Sequence, residues 1–377
     1  MHSNGVPEPI VITRQAALSR LVSEFAREKL LAVDTEANSL HAYQEHVCLI
    51  QFSTARNDYL VDPLAIEDLS PLSEIFANPA IEKIFHAAEY DLIILKRDFN
   101  FQFQNIFDTM VAARILGWKA VGLGSILKAK FNVKVNKKFQ RADWGQRPLN
   151  TQMLHYAQLD TRYLIALREL QKAELVASGR WPIAVEDFER ATQVRLPDER
   201  DHVNCWRVNG SRELEPAQMG ILQELCAYRD RVAQALDRPL FKVMNDQTLV
   251  ALAETCPQTL HELIAVKGIS QNQARRHGDE ILEAIGRGLQ KPCPPPPQRQ
   301  RPDDTYLNCY DALRTWRKKA AHRMGVESDV VLPKDLLIQL AAQRPENWPV
   351  LAEILASVPW RLEHFGEQIL TVIHPFT

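Results

Sequence analysis

The sequence predicts an α/β sandwich built on a mixed sheet, followed by two all-helical modules. Three observations lead there. Short β-branched runs precede an alternation of strand and helix over the first 200 residues, the remaining chain repeats itself at a constant offset, and a proline-rich stretch separates the two copies.

Pro9 to Thr13, Leu30 to Thr35, Val47 to Ser53 and Tyr59 to Val61 read as strands, being short and rich in apolar or β-branched residues. Thr13 is placed to cap a helix whose Leu18, Leu21, Val22 and Phe25 mark one face. Lys83 to His86 is another strand, followed by a helix from Glu89 to Arg97. Asp108 caps a helix running to Leu116, where Gly117 ends it. Pro148 to Ala177 reads as one long helix or two joined. Neighbouring strands followed by strand–helix alternation indicate a mixed sheet with flanking helices.

The boundaries come from composition and repetition. PDERDH (Pro197 to His202) is a polar break, and KPCPPPPQRQRP (Lys291 to Pro302) cannot continue a helix or a central strand. The expected domains are 1–200, 205–291 and 304–377, with 292–303 as a linker. A shift of 88 positions pairs Leu225 with Leu313, Arg229 with Arg317, Leu249 with Leu337, Gly278 with Gly366 and Ile281 with Ile369. Matched apolar positions at helical spacing indicate a duplicated helical module of about 75 residues.

The 377 residues are 46% apolar, enough to exclude disorder along the whole chain, and no window approaches the roughly 18–20 apolar residues of a membrane span. The start, MHSNGVPEPIVIT, lacks the pattern of a secretory signal. Six scattered cysteines form no CxxC pair, which argues against a zinc ribbon or a disulfide scaffold and for a reducing cytoplasm. Lys+Arg 45 against Asp+Glu 47 is near balance, so charge informs only through local patches. One runs from Lys128 to Arg147, including Lys137, Lys138 and Arg141, with Phe131, Phe139 and Trp144 interleaved; another surrounds Trp316, with Arg317 beside it. Such runs are either solvated faces or phosphate-binding surfaces.

Three short motifs carry acids. In LLAVDTE an apolar strand leads to Asp34 and Glu36, which project from one side because strand side chains alternate. Adjacent buried carboxylates repel, and a cation removes that cost. Alone the pattern is weak, since 47 acids yield chance pairs such as Glu213 and Glu215. In IFHAAEYDL, Asp91 lies in the first turns of a helix, where the dipole alone favours an acid. In HYAQLD, Tyr156 and Asp160 stand four apart and share a helix face. His155 is a rival to Tyr156. At 100° per residue Tyr156 lies about 40° from Asp160 around the axis and His155 about 140°, which favours the tyrosine.

Taken together, the strand DxE, the strand-to-helix aspartate and the helical YxxxD resemble the DEDDy branch of the DEDD exonuclease superfamily. DTEANSL, CLIQF, FDTMVAARILG, KKFQRADWGQRPL and YAQLDTRY look like the ribonuclease D family, and the duplicated tail looks like tandem HRDC domains. Ala87 departs from the family, which often has asparagine there. The resemblance implies a ribonuclease H-like α/β catalytic domain followed by two HRDC-like domains. It implies a 3′-5′ exoribonuclease releasing nucleoside 5′-monophosphates, with tRNA precursors as expected substrates. Asp34, Glu36, Asp91 and Asp160 would hold two divalent ions, Mg²⁺ or Mn²⁺, and Tyr156 would orient the attacking water. Lys137, Lys138, Arg141, Trp144, Trp316 and Arg317 are the expected RNA contacts, and the protein is expected to act as a monomer without an obligate protein partner. A DNA exonuclease with the same acids and a catalytically silent nucleic-acid-binding scaffold are the rival readings. A helicase is excluded, as no G-x-x-x-x-G-K-[ST] loop occurs.

Overall fold

The computed structural model describes residues 7–196, 204–291, 293 and 303–377. The polar break at 197–202 and most of the expected linker 292–303 fall outside the described residues. The described chain divides into two compact units, one of 7–37, 47–196 and 303–377, the other of 38–46 with 204–291 and 293. The segment 304–377 falls in the same compact unit as the sandwich.

The first unit opens with β1 (Ile10–Ile12), α1 (Gln15–Phe25), β2 (Leu30–Ala37), β3 (Val47–Ser53), β4 (Asp58–Val61), α2 (Pro71–Ala77), β5 (Glu82–Phe85), α3 (Glu89–Phe99) and β6 (Ile106–Asp108). Next come α4 (Thr109–Ile115), α5 (Leu123–Phe131), α6 (Thr151–Arg162), α7 (Leu164–Ala177) and α8 (Trp181–Thr192). The sheet order is β1-β4-β3-β2-β5-β6, antiparallel where β3 meets β2 and β4 and parallel elsewhere. Leu31 and Val33 of β2 face α1, α2 and α3, while Ala32 faces α4 and α7 on the other side, so period-2 alternation sorts the two cores. Thr13 does not cap α1. Arg14 takes that place with no side-chain bond, its carbonyl already accepting from the amides of Ala17 and Leu18. The stretch expected from Pro148 to Ala177 is two helices meeting at Tyr163.

In the second unit the helical module comprises α9 (Pro216–Ala235), α10 (Leu240–Val243), α11 (Asp246–Thr255), α12 (Leu260–Ala265) and α13 (Gln271–Leu289). Its counterpart in the first unit comprises α14 (Asp304–Met324), α15 (Ser328–Val331), α16 (Lys334–Gln343), α17 (Trp348–Ile354) and α18 (Pro359–Ile373). Each of the five helices starts 88 positions after its partner, and the paired residues Leu225 and Leu313, Leu249 and Leu337, and Ile281 and Ile369 are all buried. No helix of the described residues is long and apolar enough to cross a membrane.

Candidate active site

Asp34 and Glu36 lie near the C-terminal end of β2. Asp34 faces Gln51 and Glu36 faces Leu49 across the antiparallel ladder, and the register slips between Glu36 and Ala37. Thr35, on the other face, donates its hydroxyl hydrogen to Asp91 Oδ1. This bond ties α3 to the strand end. Asp91 therefore approaches from the sheet face that α3 covers, opposite the face covered by α6.

The turn that launches α3 depends on Asp108. Its carboxylate caps α4 through the amides of Met110 (2.8 Å) and Val111 (3.2 Å) and also accepts from the amides of Ala87 (3.0 Å) and Ala88 (2.8 Å). Ala87 sits in the left-handed region at φ 65°. That conformation suits asparagine or glycine better than alanine.

On the opposite face α6 is fixed at both ends. Asn150 caps it by accepting from Met153 N (3.0 Å). Near its C-terminus Gln158 (2.6 Å) and Arg162 both donate to Asp58, and Ser53 bonds Asp58 and Thr161, each at 2.7 Å. The helix already includes residue 155, so the angular argument applies. Tyr156 feels the charges of Asp160, Glu36 and Asp34, whereas half-buried His155 bonds Gln158 at 3.3 Å. The Tyr156 ring lies 6.0 Å from both Trp144 and Phe139, which belong to the basic segment.

The electrostatics report one shared pocket. Burial first, then the charges of Asp91, Asp160 and Glu36, pushes the Asp34 carboxyl well above its usual range. Burial, then Asp160 and Asp91, pushes Glu36 up to about 9. Asp160 is raised by burial and by Asp91, and Asp91 chiefly by burial, with the Thr35 bond opposing. Burial and the charges of Asp160, Glu36 and Asp34 drive the Tyr156 phenol far above its ordinary value, so it stays protonated and able to donate a hydrogen bond. Among the described residues no three His, Cys, Asp or Glu side chains stand ready-gathered about one point as metal ligands. The fit to hard divalent ions rests on donor chemistry and charge: four oxygen-only side chains in mutual repulsion, which such ions would relieve.

The expected RNA contacts divide. Lys137, Lys138 and Arg141 are exposed. Trp144 is 1% exposed and packs under α6, and Trp316 is 9% exposed, edge-on to Phe365, with its indole N–H on Gln368 at 3.1 Å. Arg317 donates to Leu332 O at 2.9 Å. Both tryptophans are core residues, which argues against the RNA contact expected of them, and Arg317 ties together its own module. Thr35 and Asp108 were missed as builders of the site. The signal for Thr35 was its place between two acids on a strand, which turns it to the opposite face. A cavity of about 1470 Å³ lies elsewhere, between α8 and the α16–α17 region, and none of the four acids lines it.

The 3′-5′ exonuclease family matches residues 9–174, and the HRDC domain matches 218–285 and 307–373. Ribonuclease D of Pseudomonas paraeruginosa is 28% identical over 374 residues, covering 97% of this chain and 98% of that protein. The exosome complex exonuclease RRP6 of Saccharomyces cerevisiae is 30% identical over 295 residues, covering 74% of this chain and 40% of that protein. The crystal structure of Escherichia coli RNase D, described as an exoribonuclease involved in structured RNA processing, superposes with a TM-score of 0.71 at 25% identity, covering 98% of this chain and 99% of that one. The chain thus belongs to the ribonuclease D family of 3′-5′ exoribonucleases, with two HRDC domains behind its exonuclease domain.

Proposed function

We propose that the protein trims the 3′ ends of structured RNA, tRNA precursors among them, by two-metal hydrolysis that releases nucleoside 5′-monophosphates. What supports this reading is the position of Asp34 and Glu36 at the end of β2, of Asp91 on α3 against Thr35, and of Asp160 on α6 beside Tyr156, four acids that burial and neighbouring charge raise. These four side chains would hold two Mg²⁺ or Mn²⁺ ions. Bound there, the ions would supply Lewis-acid stabilisation of the attacking and leaving oxygens in an in-line displacement.

The chain's own residues do the rest. Tyr156, kept neutral by its surroundings, hydrogen-bonds the attacking water and sets its direction toward the phosphodiester that joins the last nucleotide to the strand. Trp144 and Phe139 hold that ring in place. Lys137, Lys138 and Arg141 neutralise backbone phosphates of the entering strand. The protein acts as a monomer in a reducing cytoplasm, in keeping with six cysteines that are all free thiols.

The test is incubation with a tRNA precursor in Mg²⁺ or EDTA, with products sized by electrophoresis and a matched DNA strand alongside. Stepwise 3′ shortening in Mg²⁺ alone is the expected result, and Asp34→Ala abolishes it without unfolding the protein. Wild-type rates in that variant defeat the assignment of the acids, and faster DNA digestion defeats the choice of RNA.

A further inference from the structure

Gln51 lies in the middle of β3 with 0% of its surface exposed, and neither its amide nitrogen nor its carbonyl oxygen has a hydrogen-bond partner. Among the described residues it is the one side chain whose two buried polar atoms both go unpaired. Buried amides are nearly always satisfied, so an orphan at this depth calls for an explanation such as an ion or water that completes it. Nothing about the strand demands an amide there. Its neighbours on the same face are Leu49, two residues back, and Leu60, its register partner on β4, both in an apolar cluster with Met153 and Ala157. Leucine or methionine would suit that surrounding better.

The register supplies the reason for glutamine. Gln51 stands directly opposite Asp34, where side chains of an antiparallel pair share a face with Cβ atoms about 4.5–5.5 Å apart. Ser53, two residues on, bonds Thr161 of α6, and Leu49 clusters with Tyr156 and Ala157. Gln51 is therefore under the part of α6 that runs from Tyr156 to Asp160. We infer that Gln51 is a positioning residue for the carboxylate pocket: when divalent ions occupy it, the Gln51 amide donates to the Asp34 carboxylate and fixes its orientation. A neutral donor suits this role, because a lysine or arginine beside Asp34 would compete with the ions for the same negative charge. Partners of this kind hold ligating carboxylates in place, and their loss typically costs 10–100-fold in metal affinity or activity.

The inference rests on the metal-dependent reading above, and the experiment separates the two. Gln51→Met and Gln51→Leu are made in the full chain, with Asp34→Asn as control. Mn²⁺ binding is followed by calorimetry and by the metal-induced rise in Tm, and kcat and KM are measured on a 3′-labelled oligoribonucleotide. Expected are wild-type or higher Tm in EDTA, Mn²⁺ affinity weakened about 10–100-fold, and kcat reduced at limiting metal with KM unchanged. Wild-type Mn²⁺ affinity in both variants overturns the role of Gln51. So does a Tm that falls equally in EDTA and Mn²⁺, which marks a purely structural residue. A wild-type protein that shows neither Mn²⁺ binding nor metal-dependent turnover defeats the metal reading itself, and the Gln51 inference with it.

Discussion

Arg361, with none of its surface exposed, ion-pairs with Glu186 at 2.8 Å and so joins the second helical module to the last helix of the sandwich. Its other nitrogens reach Asp187 (2.9 Å) and the Val330 carbonyl (2.8 Å), while Glu186 also accepts the amide of Trp360 at the start of α18. Burial raises both carboxyls in spite of the guanidinium beside them, so desolvation outweighs the attraction. In such a cluster, removing one partner harms more than the pair contributes. Arg361→Met should cost about 3–5 kcal/mol, because buried Glu186 and half-buried Asp187 lose their counter-charge. Adding Glu186→Gln should recover part of that loss. Thermal melts of the single and double variants decide, and a single variant that melts with the wild type would show that other contacts hold the module.

Tyr156 and Trp144 should separate chemistry from packing. Tyr156→Phe keeps the ring against Trp144 and Phe139 and removes only the hydroxyl, so kcat should fall about 10²–10⁴-fold with Tm nearly unchanged. Trp144→Ala empties a buried site and should cost about 3–5 kcal/mol together with activity. Equal loss of stability in the two variants would contradict this division.

Ala87 offers a gain of stability. Alanine in the left-handed region is strained, and its amide must stay in place to reach Asp108. Ala87→Asn keeps the backbone bond and tolerates φ 65°, so it should stabilise by about 0.5–1 kcal/mol. Chemical denaturation reads this as a higher midpoint at constant slope. A lower midpoint would mean that the methyl group is required where it stands.

Much of this was legible in the chain itself. Asp34 and Glu36 share a face because strand side chains alternate, and Tyr156 outranks His155 because 100° per residue turns it toward Asp160; both are local rules. The offset of 88 positions carried over to every helix start of the duplicated modules, since an ungapped repeat leaves the same core positions in place. What escaped depends on distant pairing. β6, from Ile106 to Asp108, is too short to show a period. Trp144 in a basic run looks the same whether it stacks on bases or fills a core, and only the packing of α6 separates the two. Arg361 and Glu186 are 175 residues apart, and no local pattern couples them. The orphaned amide of Gln51 becomes visible only when β3 lies beside β2.

The carboxylate pocket should also leave its mark on stability. Unfolded, these acids titrate near their ordinary values of about 4; folded, Asp34, Glu36, Asp91 and Asp160 are all raised, Glu36 to about 9. Across the interval the folded state binds more protons than the unfolded one, so this contribution is fully present below pH about 4 and is lost as pH rises through the folded values. Other groups titrate too, which makes a difference measurement the right one. In EDTA, Asp34→Asn removes one repelling carboxylate, and its Tm advantage over wild type should grow from pH 5 to pH 8, reaching a few degrees, or about 1–3 kcal/mol. Excess Mg²⁺ or Mn²⁺ should reverse the order at pH 8, because the wild type then gains bound cations that the variant holds poorly. An advantage that stays flat across that pH range, or shrinks with rising pH, would mean that the four acids do not repel one another in the folded protein.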